Sequence, residues 1–104
     1  MDYCLAYVTC ANKKEAEKIG RELVSEKLAA CVNIHEKMTS IYMWHGSVSS
    51  EDECLLVAKT KSKVFKTLVE KVCSLHSYTT PCVLQIPMEI GSQAYKEFVD
   101  QNTL

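Results

Sequence analysis

From Tyr3 to Cys10 the chain reads Tyr-Cys-Leu-Ala-Tyr-Val-Thr-Cys, with aromatic and aliphatic side chains at both alternating positions. An extended segment of that kind needs cover on both sides, as a central strand does. Asn12 ends the pattern and stands three residues before Glu15, the spacing of a capping box. Ala16, Ile19, Leu23 and Leu28 follow at near-helical intervals, so a helix is predicted over 13–29. Extended patterns return over 31–34 and 39–45, are closed by Gly46 and a polar stretch, and resume over 53–59. This is the pattern of a long hairpin. Were 31–45 one strand, at roughly 3.3 Å per residue it would run to about 50 Å, longer than a domain of this size is wide, so part of it must project.

Val64, Phe65, Leu68, Val69, Val72 and Cys73 then recur at threes and fours, predicting a helix over 62–75 with Ser62 as its cap and His76 at its exit. Pro81 introduces a fourth strand over 82–86, which Pro87 confines to a sheet edge or ends. A short last helix starts near Ser92, with Tyr95, Phe98 and Val99 on one side. Strand, helix, strand, strand, helix, strand, helix is the split βαβ plan of a ferredoxin-like α+β sandwich, here a single domain over residues 1–104. In that plan the sheet order is four, one, three, two, and right-handed crossovers put both long helices on one face.

The other face is left open. Ile41, Tyr42, Met43 and Trp44 are apolar in succession, as are residues 54–58, so both faces ask for burial and two helices cover only one. Each aromatic ring removes about 150–250 Å² from water, and a bare patch of that kind is sticky. The expected cover is another copy of the chain, reached through the overlong hairpin in a closed ring, with Tyr42 and Trp44 in the contact. The alternative is that the third helix folds over this face.

Composition narrows the function classes. A chain of 104 residues with 47% apolar and 24% charged side chains is a folded domain, and 12 basic against 13 acidic residues gives no phosphate-neutralising surface, which removes nucleic acid as the default partner. Arg21 is the one arginine, a thin basis for bidentate anion capture. No apolar run is long enough for a transmembrane segment and no signal-peptide pattern opens the chain, so a cytoplasmic location is expected. Six cysteines form no Cys-x-x-Cys pair and lie in or beside apolar runs, where reduced, core-filling thiols are expected.

Leu28-Ala29-Ala30-Cys31-Val32-Asn33, Thr39-Ser40-Ile41-Tyr42-x-Trp44-x-Gly46, Lys59-Thr60 and His76-x-Tyr78-x-x-Pro81 stand in an order and at spacings that resemble the CutA divalent-cation-tolerance family over nearly the whole chain. The resemblance implies a ferredoxin-like homotrimer related in architecture to PII signalling proteins, with clefts between subunits and binding of copper or other divalent metal ions. It also implies, from animal members, a protein partner in the anchoring of acetylcholinesterase. Two positions depart from the family's usual His-Pro-Tyr-x-x-Pro-Glu: Ser77 replaces Pro, and Cys82 replaces Glu, a soft thiol for a hard carboxylate.

Strands one and four are antiparallel neighbours in the expected order, so Cys10 at the end of one lies near Cys82 at the start of the other, with His76 at the same edge. A Cys, Cys, His set suits copper(I) or zinc. The structural alternative has both thiols packed in the sheet and His76 against the helix end. Lys59 faces a cleft and an anion, or ends its strand in solvent. Tyr78 orients a ligand by its hydroxyl, or packs its ring under the loop. His35 and His45 are expected on a solvated hairpin. No Gly-rich anion loop with Arg and Asn, as acylphosphatases of this fold require, and no nucleophile motif occurs, so an enzyme is not expected. The functions that remain are a trimeric metal-binding protein and a PII-like sensor or anchoring module.

Overall fold

Alternation along the first strand decides the layering. In the computed structural model, which describes all 104 residues, β1 (Tyr3–Cys10) buries Cys4, Ala6, Val8 and Cys10 completely and leaves the residues between them half-covered. It pairs antiparallel with β3 (Ser47–Lys61) on one side and β4 (Val83–Met88) on the other, and β2 (Cys31–Trp44) completes the order β2-β3-β1-β4. The order is the expected one. α1 (Lys13–Ser25) and α2 (Phe65–Leu75) lie on a single face, where Ile19, Leu23, Leu68 and Val72 close over Leu56, Ala58 and the buried side of β1. Gly20 lets α1 approach the sheet: a Cβ there would stand 2.8 Å from Val32 Cγ2.

α1 is shorter than its periodicity predicts, ending at Ser25 instead of 29. Lys27 takes a left-handed conformation (φ 59), its N–H donates to the Val24 carbonyl and the Leu28 N–H donates to the Leu23 carbonyl. This is a Schellman stop with lysine in place of the usual glycine, so the sequence carries no mark of it. Leu28 is buried as the apolar partner of that stop, not as a helical residue. Ser62 does not cap α2; its Oγ donates to the Met1 carbonyl at 2.6 Å, and a 3-10 turn, Ser62–Val64, precedes the helix.

The hairpin is longer than the apolar runs suggest. β3 begins at Ser47, not 53, because its serines and acids pair in register with Met38 to Trp44 of β2. His45 (φ 48) and Gly46 (φ 81) make the turn, the positive-φ pair that suits a twisted two-residue loop. The molecule extends 46 Å along this axis against 24 and 22 Å across, so the strand does project. Between His35 and Met38 the register slips, with Lys37 at φ 62. This β-bulge reverses the alternation of β2: Cys31, Asn33 and His35 share a face with the odd-numbered residues of β3, and beyond the bulge Met38, Ser40, Tyr42 and Trp44 do so.

β4 runs one residue later at its start and two later at its end than predicted, and Pro87 lies inside it, which the edge position allows. α3 (Gln93–Gln101), capped by Ser92, covers one end of the open face. The Tyr3 hydroxyl donates to Asp100 at 2.6 Å, Lys61 Nζ reaches the carbonyls of Asp100, Thr103 and Leu104, and Val99 is fully buried. The third helix is therefore a partial lid. Leu84, Ile86 and the outer part of the hairpin, with Ile41, Met43, Trp44 and Val48, remain exposed.

Candidate functional site

Two groups of side chains sit on opposite sides of the sheet near the end of β1. The first is a buried clasp. Asn12 Oδ1 accepts from the Glu15 N–H at 2.9 Å, and the Glu15 carboxylate reaches back to the Ala11 N–H (3.0 Å) and forward to the Ser77 N–H (2.9 Å). A helix cap thus also pins the segment that leaves α2. Next to it the His76 ring, with no exposed side-chain surface, donates from Nε2 to the Thr9 carbonyl at 2.8 Å and accepts at Nδ1 from the Tyr78 N–H at 3.1 Å. Burial raises the Glu15 carboxyl pKa, but the Ala11 and Ser77 donors and nearby His76 outweigh it, and the net shift is downward.

Cys10, Glu15 and His76 are the one set of His, Cys, Asp or Glu side chains whose donor atoms all lie within 4.8 Å of one another. Their types suit a soft or borderline divalent ion. In the metal-free fold most of their lone pairs are already engaged. Burial, with Glu15 second, pushes the Cys10 thiol up to about 12, both carboxylate oxygens of Glu15 accept backbone hydrogens, and both imidazole nitrogens are in hydrogen bonds. A metal ion at His76 would have to displace one of its two backbone hydrogen bonds.

The second group lines a cleft of about 680 Å³ on the open face. Tyr42 and Trp44 reach it from beyond the bulge, Tyr7 and Thr9 from β1, Glu51 and Glu53 from β3, and Tyr78 to Thr80 with Cys82 from the stretch before β4. Tyr78 joins the two groups. Its ring packs on His76 (4.6 Å between centroids) and its hydroxyl donates to Glu53 Oε2 at 2.8 Å; burial and then that carboxylate raise its pKa.

Cys82 does not join Cys10 and His76. Val8 pairs with Val83, so Cys82, one residue earlier, takes the opposite face, beside Thr9. Glu15 stands where the sequence suggested a second thiol; its only mark in the sequence was the capping spacing. Lys59 is likewise outside the cleft: it lies under α3, its Nζ 5.6 Å from the centre of the Tyr95 ring. Tyr42, Trp44 and Tyr78 line the cleft of the single chain, and His35 and His45 are exposed. All six cysteines are free; Cys73, expected on the apolar side of α2, is exposed.

Residues 4–102 match the family model described as "CutA1 divalent ion tolerance protein". The chain belongs to the CutA1 family. It is 42% identical to "Protein CutA" of Mus musculus over 98 residues, 94% of this chain and 55% of that protein, so it spans little more than half of that relative. It is 38% identical to the "Divalent-cation tolerance protein CutA" of Archaeoglobus fulgidus, over 91% of this chain and 92% of that one. The crystal structure of CutA1 from Oryza sativa superposes with a TM-score of 0.96 at 36% identity, covering 100% of this chain and 95% of that one. The α+β fold with its long hairpin is thus the CutA1 fold. No helix is long and apolar enough to cross a membrane.

Proposed function

We propose that this CutA1 chain acts as a homotrimer in divalent-cation tolerance, with copper and zinc the first ions to test, by binding and not by catalysis, and that it holds no resident metal. What carries the last part is the state of His76 in the only convergent set: both of its ring nitrogens already have backbone partners within the fold. Ion contact at Cys10 and His76, with Glu15 in place of the distant Cys82, requires those hydrogen bonds to give way, which makes it exchangeable. Support for the assembly comes from Leu84 and Ile86 on the open face and from Ile41, Met43 and Val48 on the back of the hairpin, the last three about 70% exposed in the single chain. Six free thiols suit a reducing compartment such as the cytoplasm.

The test is to load the protein with copper or zinc, dialyse, and count metal per chain for wild type, Cys10→Ala and His76→Ala. Wild type is expected to retain no more than either variant. One ion per chain in wild type, lost in both variants, would establish a resident site at the clasp. In parallel, cells lacking the protein should grow less well in elevated copper or zinc and recover when the chain is restored; equal growth would remove the tolerance role. A second reading, a PII-like sensor or anchoring module for a small molecule or protein, is favoured by one observation: the preformed cleft beside Tyr78.

A further inference from the structure

Cys10 belongs to a second arrangement besides the clasp. It closes the ladder between β1 and β3, and the residue directly opposite it is Cys54. These are the only two cysteines that oppose each other across the sheet: Cys4 stands opposite Thr60 and Pro87, and Cys31 opposite Lys59. Cys82 lies on the other face and Cys73 is exposed on α2. Cys10 and Cys54 are 0% and 2% exposed, on the face that α1 and α2 close and not on the one left to sister chains.

Opposed residues of an antiparallel pair have Cα atoms about 4.5–5.5 Å apart, inside the range of about 4.4–6.8 Å that a disulfide spans. Their Cβ atoms, at roughly 4.5–5.5 Å, must close to about 3.5–4.5 Å for the bond. The last rung of a ladder is where that adjustment is easiest. After Cys10 the chain leaves the sheet through Ala11 and Asn12, both exposed, and no further rung holds it to β3. Buried thiols react slowly with anything outside while their cover is shut. Here the cover is the clasp: Glu15 shares a cluster of donor atoms with Cys10 and ties the start of α1 to Ala11 and Ser77, while Lys13 and Glu17 of the same helix act electrostatically on Cys54.

We propose that Cys10 and Cys54 are a reversible oxidation site, joined as a disulfide between β1 and β3 by a hydroperoxide that enters when the clasp opens. One thiolate attacks the peroxide O–O bond and becomes a sulfenic acid; the second sulfur then displaces its oxygen as water and forms the S–S bond. With hydrogen peroxide, the two thiols lose two protons and two electrons and the oxidant leaves as two waters. A small thiol reverses the reaction by exchange. A sulfur in that bond has no thiolate to offer an ion, so oxidation withdraws Cys10 from the clasp. That consequence rests on the exchangeable ion contact proposed above; the bond itself does not.

The reduced protein, with chelator present, is treated with hydrogen peroxide, remaining thiols are blocked with N-ethylmaleimide in denaturant, and peptides are mapped by mass spectrometry with and without dithiothreitol. Wild type is expected to give two peptides joined through Cys10 and Cys54 and released by dithiothreitol. In Cys54→Val, which keeps an apolar strand residue, Cys10 should stay available to the maleimide. Glu15→Gln should speed formation of the link about tenfold, the effect of losing one hydrogen bond of the cover. Val99→Ala, which opens a cavity at a fully buried position of α3 on the opposite face, should not. Links through Cys73 alone, or Cys10 and Cys54 both still fully alkylated, would overturn the proposal, and equal acceleration by Glu15→Gln and Val99→Ala would overturn gating by the clasp. The readout is a covalent mass obtained without metal, so this result and the metal count that tests the tolerance reading can fail separately.

Discussion

The two faces of one sheet are finished to different degrees. On the helix side, Cys4, Ala6, Val8 and Cys10 of β1 meet Leu56 and Ala58 of β3 under α1 and α2, and none of these six has any exposed surface. On the other side α3 covers only the end near Tyr3 and Lys61, while Leu84, Ile86 and Trp44 stay exposed. A single chain can complete one hydrophobic layer of this sheet but not both. The clasp belongs to the finished side, and its carboxylate and imidazole are hydrogen-bonded internally; the cleft belongs to the unfinished side, and neither of its glutamates has an ion-pair partner. Satisfied groups hold a fold together, and unsatisfied ones are available to partners.

Substitutions on the two sides should therefore fail differently. Trp44→Asp carries the largest expected effect: a charge in the proposed subunit contact costs on the order of 3 kcal/mol or more, so the proposed trimer should disperse. Because Trp44 is 49% exposed in the lone chain, the subunit itself should stay folded, which circular dichroism and analytical ultracentrifugation check together. Leu56→Ala reverses the pattern, with a loss of about 3 kcal/mol in subunit stability by denaturant unfolding. Unfolding by the first or dispersal without destabilisation by the second would erase the distinction drawn between the faces.

Glu15→Gln probes the clasp. An amide presents one acceptor where the carboxylate presents two, so either the Ala11 or the Ser77 N–H loses its partner, at a cost of about 2 kcal/mol near neutral pH. The sign with pH is fixed. Since folding lowers the Glu15 pKa, its contribution is present above the unfolded value near 4.5 and is lost as pH falls through the lower folded value. Wild type should lose stability over that acid range, and the glutamine variant should show a flatter profile in pH-dependent denaturant melts. The smallest effect is expected at Lys27→Gly, which relieves a left-handed lysine and should stabilise by about 0.5–1 kcal/mol in thermal unfolding.

The element order, the sheet topology and the projecting hairpin were legible because each rests on periodicity over many residues. The failures lie where one residue, or the partner strand, decides. Lys27 stops α1 without a glycine to announce it. Ser47 to Asp52 are strand because β2 pairs with them, a fact absent from their own polar sequence. The bulge at Lys37 has no compositional mark, yet it sets which hairpin residues reach the cleft. Of the site, Cys10 and His76 were placed together correctly, while the strict alternation of β4 sends Cys82 to the other face and the lysine at 59 goes under α3. Glu15 was visible only as a cap.

The central claim is that this sheet is completed by sister chains. Sedimentation equilibrium of the wild type at micromolar concentration tests it most directly: the account predicts a mass three times that of the 11.7 kDa chain, and a stable, monodisperse species at 11.7 kDa would contradict it.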